Sequence, residues 1–520
     1  MLFQLALALA SCPTAPQGAQ LEILHSERAP YNTLPGRPGW LVHEVNWFEI
    51  ASDGQYLVEL ASDPGDQRAL VLNGHPRLVV GDEAPWKPAE SITHLGGRTQ
   101  SLDAEGRILA RVFTGHTREY LARYEDGAWV ALSKSGRVIP GYPALVHEKT
   151  QALQTPAGRR IAGSFELSGT AAGQDAVLLD GARVLAQRGV DRPTGLPSGS
   201  NDPWWSFGRP MISADGQDWL VSGEVGVGAA GRQVLALNGQ ALVEQHQSLP
   251  GGVFLDTVKG VSGYGLLPGG SWWATGTNFG AQAHWLLRDG AIVAKSGDPI
   301  SAGDARVWAH GLGNLLYGTD GQHEVLAGVA EDPQGGTGWV VLVDGQLVIE
   351  EGDPIDWNGD GLLNDGIEFD SFASGMLPQF DRMGRLWMLM AVREPSSGTS
   401  RIESLVRLQL GGPKVELAGL TAGQQATVTV RGGEALAPAH LAWSVRPGPG
   451  QRVASPFGPV WIEVGPIGLN RASVSLDAAG QASLTIQVPP AAAGLPFTVQ
   501  SLVFESQQVS ISPPLVRVVQ

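Results

Sequence analysis

The chain has a single cysteine, Cys12, in 520 residues, so no disulfide can form within it. Charge is also sparse, at 17% of residues, and it is lopsided: 35 Lys and Arg against 51 Asp and Glu leave a net charge of −16. With no run of basic residues, neither nucleic acid nor an anionic membrane surface is an expected partner. No apolar stretch approaches the ~20 residues a membrane-crossing helix needs. The sequence also lacks the short signatures of common chemistries. It has no nucleophile-elbow serine, no HExxH, no phosphate-binding glycine loop and no clustered histidines. The aspartate box of sialidases needs a residue between Asp and Gly, and Ser213-Ala214-Asp215-Gly216 has none.

Glycine and proline are abundant, at 70 and 35 residues, beside 43% hydrophobic residues. That mixture suits many short strands joined by turns and does not suit disorder. The turns recur. A first glycine turn stands at Asp53-Gly54, Glu105-Gly106, Ala157-Gly158, Asp215-Gly216, Gly269-Gly270, Asp320-Gly321 and Met383-Gly384. Subtracting these positions gives steps of 52, 52, 58, 54, 51 and 63 residues. A second turn stands at Asn73-Gly74, Asp126-Gly127, Asp180-Gly181, Asn238-Gly239, Asp289-Gly290 and Asp344-Gly345. Two tight turns per period predict four-stranded meanders. The third strand of several units is continuously apolar, as in Val340-Val341-Leu342-Val343, which implies burial on both faces. Blades stacked around an axis supply that burial, and seven periods predict a seven-bladed β-propeller over 21–411.

Three residues after the first-turn glycine stand Leu57, Leu109, Ile161, Trp219, Trp273, Glu324 and Trp387. Six are large and apolar, which marks a packing position. Glu324 is expected to reflect a slip that turns Val325 inward. The seventh period lacks its fourth strand. Ile23–Pro30 resembles Leu78–Pro85, the outer strand and exit of the first unit. The N-terminal strand is therefore expected to complete the last blade and remove an open edge. From 412 the period stops, and Val-, Thr- and Ser-rich segments punctuated by proline predict a β-sandwich of immunoglobulin-like size over 412–520. It lacks the cysteine pair of antibody domains.

Met1–Ser11 is apolar and Leu9-Ala10-Ser11-Cys12 resembles a bacterial lipoprotein signal, although no basic residue precedes it. Residues 1–12 are read as an export signal with Cys12 as a lipid-anchor position, so the expected location is extracellular or the cell envelope. The stretch Ile212–Trp219 looks like the repeat of TolB-type propellers. The whole chain resembles exported bacterial proteins that join an Asp-Gly propeller to a C-terminal sandwich. The resemblance implies fold and compartment, not activity.

Function is expected on the face bearing the long connectors 83–95, 190–209, 299–312 and 354–374. Trp40, Trp86, Trp204, Trp205, Trp308 and Trp357 fall in such segments. They are candidate aromatic platforms for a glycan or protein ligand, or else they pack beneath the loops. Asp356-Trp357-Asn358-Gly359-Asp360-Gly361-Leu362-Leu363-Asn364-Asp365 matches the first half of an EF-hand loop. Asp356, Asn358, Asp360, the Leu362 carbonyl and Asn364 are candidate ligands of a structural calcium ion. Ile367 stands where the loop's bidentate glutamate belongs, so Glu368 or Asp365 must substitute. Asp202, Asp256, Asp304 and Asp370 also lie in connectors, where paired carboxylates would make a glycosidase or lyase. Two classes therefore remain: an exported non-catalytic binding protein, and an extracellular carbohydrate-active enzyme.

Overall fold

The computed structural model describes residues 20–520 apart from a set of turns and loops. The longest of these are 139–144, 155–160, 169–174, 255–260, 358–364, 396–400, 446–450 and 454–459, and the side chains of 133–184 also lie outside the description. Every sheet is antiparallel, and those of the propeller follow one plan. The first blade is a meander of Leu41–Ile50, Tyr56–Asp63, Gln67–Leu72 and His75–Val79, paired in that order from the inside outwards. Six further sheets repeat it. In four of them the inner strand is split, as Lys87–Leu95 with Ser101–Leu102, or Trp204–Phe207 with Met211–Ile212.

Polar turn chemistry sets the meander. At the second turn of each described unit, Asn73, Asp126, Asn238, Asp289 and Asp344 take φ of 49–52°, and the following glycines take 75–82°. These are the left-handed pairs that a tight hairpin requires, and Asn and Asp tolerate them better than other side chains. The same side chains reach across the blade. Asn73 Oδ1 accepts the amide of Tyr56 at 2.9 Å, Asn238 that of Trp219 at 2.9 Å, Asp289 that of Trp272 at 2.8 Å and Asp344 that of Glu324 at 2.8 Å. Each outer hairpin is thereby tied to the first residue of the blade's second strand. Glu324 thus occupies the same place as Trp219, beside a fully buried Val325, and forms an ion pair with Arg288.

The first turn has its own device. Asp103 accepts the amides of Glu105 at 3.0 Å and Arg107 at 2.8 Å, and pairs with Arg107 Nε at 2.7 Å. Asp381 repeats this with Met383, Arg385 and the Arg385 guanidinium, and also accepts the Trp387 indole at 3.0 Å. Asp381 and Arg385 are both buried, and so is Trp387.

Apolar residues fill the seams between blades. Trp387, Leu389 and Leu405 of the seventh blade share a core with Trp47, Leu57 and Ile108 of the first two. Leu220 and Leu235 meet Trp272 and Trp285 between the fourth and fifth, and Trp273 meets Trp308 and Tyr317 between the fifth and sixth. Val325 and Val341 meet Leu386 and Phe369 between the sixth and seventh. The ring therefore returns on itself.

Closure uses both ends of the propeller chain. Gln20–Ser26 pairs antiparallel with Ile402–Gln409, from Gln20↔Gln409 to Ser26↔Ser404. Ile23 is buried in the seam with the sixth blade, a contribution of about 1.5–3 kcal/mol. Beyond Gln409, Lys414–Ala418, Gln425–Arg431 and Gln481–Gln487 form one sheet, and Asn470–Ser475, Pro438–Ser444, Pro496–Phe504, Val509–Ile511 and Leu515–Val518 form another. Val428, Val430 and Ile486 face Leu441, Val499 and Val503 in a shared core, which makes this part a β-sandwich. Met383, on a propeller turn, packs with Ala442, Ile462, Val464 and Leu502 of the sandwich.

Two titrating groups sit at the closure. Burial pushes the Glu27 carboxyl from its usual 4.5 to about 7, with Glu403 and Glu44 adding repulsion and the Glu403 amide and His43 opposing it. Burial also lowers His25 to about 4. Glu27 stabilises the fold below pH 4.5, and this is lost as pH rises towards 7. His25 does the opposite, stabilising above pH 6.5 and losing that contribution as pH falls towards 4. The two slopes oppose each other between 4.5 and 6.5. Glu27→Gln should therefore unmask the histidine: urea midpoints of the variant should rise with pH from 4 to 6.5 more steeply than wild type. An unchanged profile would refute this. Asn73→Ala loses a hydrogen bond and forces alanine into the left-handed region, so it should cost about 2 kcal/mol in urea unfolding. Asn73→Asp keeps the acceptor and should cost distinctly less. Equal losses would show that the clamp is irrelevant.

Candidate functional site

In a four-stranded meander the two tight turns lie on one face, and the remaining loops and blade connectors lie on the other. Register places both exits from the ring. Gln20 is level with Gln409, so the N-terminal segment enters and the sandwich leaves at the turn face. The sandwich's contact with Met383 is on that face too.

On the connector face the tryptophans do not form a platform. Trp204 and Trp308 are 1% exposed and belong to the seams of the fourth and fifth-to-sixth blades. Trp40 is buried, its indole donating to Gln67 Oε1 at 3.2 Å. Trp86 is half-buried against Tyr120 and Trp129, with ring centroids 5.7 and 6.2 Å away. Trp357 is buried, donates to the Ala29 carbonyl at 3.1 Å and meets Tyr31 edge-on at 5.8 Å. Only Trp205 of the six is exposed, at 38%, and the Arg188 guanidinium lies 4.0 Å from its ring centroid. Of the two readings, packing beneath the loops describes five of the six: large apolar rings at blade connectors gain more by sealing seams than by facing water.

Of the four connector carboxylates singled out from the sequence, the three among the described residues do not converge on one another. Asp202 pairs with Arg232 at 2.7 Å, Asp304 with Arg306 at 2.8 Å, and Asp370 lies 3.7 Å from Arg393. Each lies by an arginine, on three different blades. Arg306 holds the Asp304 carboxyl below its usual range through direct hydrogen bonds. Asp256 lies outside the described residues.

The channel is crossed rather than open. Glu49, near the end of the first blade's inner strand, meets Arg209 of the fourth blade at 3.5 Å. Burial raises the Glu49 carboxyl, and Arg209 partly offsets it. Tyr264 donates to the Arg209 carbonyl and accepts from Ser222 Oγ at 3.1 Å. From the seventh blade, Gln379 Oε1 accepts the Ile50 amide at 3.2 Å. Leu377 packs so closely on Gly263 of the fifth blade that a Cβ there would lie 2.9 Å from its Cδ2. A Cβ on Gly318 would lie 2.1 Å from the Pro378 carbonyl oxygen. Glycine is therefore required at 318, where the close atom is backbone, whereas at 263 the Leu377 side chain could give way.

The acidic loop leaves and rejoins the sixth-to-seventh connector at its base, where Ile355 N donates to Ile367 O at 2.9 Å. Asp365 Oδ2 accepts the Trp357 amide at 2.6 Å. Asp356 and Asp365, with Glu22, add to the burial that raises Tyr31. Asn358, Asp360, Leu362 and Asn364 lie outside the described residues. Glu368 opens the inner strand Glu368–Phe372 and lies 3.5 Å from Arg393 Nε. Among the described residues no group of three or more His, Cys, Asp or Glu is placed to hold a metal, and no helix is long and apolar enough to cross a membrane.

A cleft of about 220 Å³ opens on the sixth blade, lined by Arg306, Asp332, Gly336, Thr337, Trp339, Glu350 and Glu351 among others. No sequence motif marked it. Its parts come from a connector, a strand-two-to-three loop and the ends of three strands.

No family model matches the chain, and no curated protein matches it. Among solved structures the chain is similar to the β-propeller domain of Cps50 (Swd1) from Myceliophteria thermophila, at 11% identity, 58% of this chain, 83% of that chain and a TM-score of 0.30. It is also similar to a prolyl endopeptidase, at 11% identity over 75% of this chain and 55% of that longer one, with a TM-score of 0.38. A GH43B protein of a Bacteroides ovatus xyloglucan locus matches at 12% identity, 96% and 92% coverage and a TM-score of 0.18. Likenesses this remote assign no activity.

Proposed function

We propose that the protein is an exported, non-catalytic binding protein that recognises a glycan or protein ligand on the connector face of its propeller. The observation that carries this reading is the state of the connector carboxylates: Asp202, Asp304 and Asp370 each lie by an arginine on different blades. A glycosidase needs two carboxyl groups about 5–10 Å apart across one sugar-sized site. The channel crossing by Glu49 and Arg209 argues in the same direction, because it fills the axis with protein. The N-terminal entry and the sandwich both use the turn face, which leaves the connectors open to a ligand. A lipid anchor at Cys12 would leave from that same face and point the connectors away from the membrane. A glycan array run beside hydrolysis assays on the same polysaccharides tests the reading. Retention without cleavage is the expected result, and turnover of any bound polysaccharide would overturn it.

A structural calcium ion in the acidic loop belongs to this proposal. Hard oxygen donors suit calcium, and Asp356 and Asp365 already gather negative charge beside half-buried Tyr31. The carbonyl of Leu362 and the side chains of Asn358 and Asp360 would complete the set, with Asn364 at position nine and Glu368 or Asp365 as the last ligand. The ion would stiffen the connector whose Trp357 holds the segment following the closing strand. Saturating calcium at 100 times its Kd should stabilise the chelator-treated protein by about 2.7 kcal/mol. Asp360→Ala should abolish that gain and leave the calcium-free protein nearly unchanged. Calorimetry showing no binding at millimolar calcium would dismiss the ion.

A further inference from the structure

The sandwich guards most of its sheet edges and leaves one open. Lys414–Ala418 bears Lys414 and Glu416, Asn470–Ser475 bears Arg471, Leu515–Val518 bears Arg517, and Val509–Ile511 is only three residues long. Charge and shortness are common devices that stop an edge strand from pairing again. Gln481–Gln487 has neither, and it contains no proline and no glycine. It pairs with Gln425–Arg431 along its whole length without a bulge, and no other strand pairs with it among the described residues.

Register shows which backbone groups that edge presents. Val488 N donates to Gln424 O at 3.0 Å. Alternation along an antiparallel strand then turns the amides and carbonyls of Ala482, Leu484 and Ile486 towards Gln425–Arg431. Those of Ser483, Thr485 and Gln487 point the other way. Gln481 ends the open stretch, because its amide donates to Asp477 Oδ1 at 2.9 Å and its carbonyl accepts the Asp477 amide at 2.7 Å. The side chains of Ser483, Thr485 and Gln487 are exposed, whereas Ile486 is buried and Ala482 and Leu484 pack on the sandwich core. Ser483 Oγ meets Thr429 Oγ1 at 3.0 Å, and Gln487 Nε2 donates to the carbonyls of Gly423 and Gln424 at 3.1 and 3.2 Å. These contacts tie the strand's outer side chains to its own sheet and leave the edge clear.

We infer that this edge pairs with the same edge of a second copy of the chain, about a two-fold axis at Thr485. A row of outward N–H and C=O groups at every second residue is completed by another β-strand. This strand is complementary to itself. With Thr485 opposite Thr485, Ser483 stands opposite Gln487 of the second copy, and their amides and carbonyls satisfy one another. Leu484 stands opposite Ile486 of the second copy, at a position where Cα atoms approach to about 4.5 Å. Both side chains point to the core side, so each sandwich extends the apolar layer of the other. No like charges meet along the strand, in a chain whose net charge of −16 opposes most self-contacts. The pairing stands apart from the binding reading, because it uses no residue of the propeller.

Sedimentation of the full chain over a dilution series tests the assignment. The wild-type protein should pass from a two-chain to a one-chain mass on dilution. A chain that stays monomeric up to roughly 100 µM leaves the edge to a foreign strand and overturns the assignment. Thr485 is exposed and its amide points away from its own sheet, so Thr485→Glu and Thr485→Lys should keep the wild-type melting temperature. Each sets like charges directly opposite one another at the axis and should weaken the dimer several-fold. An equimolar mixture of the two should pair again, because a two-fold at 485 sets Glu against Lys. Thr485→Pro removes the donor on the axis from both copies and should abolish the dimer. Undiminished pairing of any single variant overturns the axis, as does a mixture that pairs no better than its parts. Hydrogen exchange on the unaltered chain gives a second reading. The amides of Ser483, Thr485 and Gln487 should be protected in the dimer and exchange freely on dilution, and protection that ignores concentration would refute the pairing.

Discussion

A ring of sheets has to close, and here closure depends on one strand pairing, Gln20–Ser26 on Ile402–Gln409. Without it the seventh blade ends in the bare edge of Ile402–Gln409, and Ile23 leaves the seam that joins the last two blades. The rest of the ring is organised around that joint. Trp357 reaches from the sixth-to-seventh connector to the Ala29 carbonyl, and Arg28 pairs with Glu394 at 2.7 Å. Buried His25 and the raised carboxyl of Glu27 make the same joint the place where protonation is felt.

Within each blade the stabilising chemistry is polar and local, and between blades it is apolar and distant. The Asn and Asp clamps at the second turns satisfy a strand's first amide, while the first-turn aspartates satisfy the amides of their own loop. The seams then need only large side chains of suitable shape, which is why tryptophan is common in them. This division leaves the connectors free of any duty to the hairpins. Several are nevertheless held tightly: Ser198 donates to Glu244 at 2.7 Å, and Arg232 binds Glu244 and Asp202 together.

The Asp-Gly and Asn-Gly turns made the blades legible because backbone geometry is a local demand. A residue at φ near 50° followed by glycine announces itself in two letters. The continuous apolar third strands were legible for a related reason, since Ala69–Leu72 is buried along its whole length. The missing fourth strand of the last unit likewise pointed to the N-terminus. The role of the tryptophans was not legible. A tryptophan at the start of a strand reads the same whether it faces water, as Trp205 does, or a seam, as Trp204 does one residue earlier.

Sequence alone therefore determined the all-β class, the number and order of the blades, and the change of architecture near residue 412, because each follows from short-range turn geometry and periodicity. Only the tertiary structure decided which polar groups meet. Arg209 finds Glu49 160 positions away across the axis, and Asp202, Asp304 and Asp370 find separate arginines instead of one another. The cleft of Asp332, Trp339 and Glu350 likewise exists only once a loop, a strand and a hairpin end are brought together. Contacts of this kind depend on how blades are placed around the ring, and no local pattern along the chain encodes that placement residue by residue.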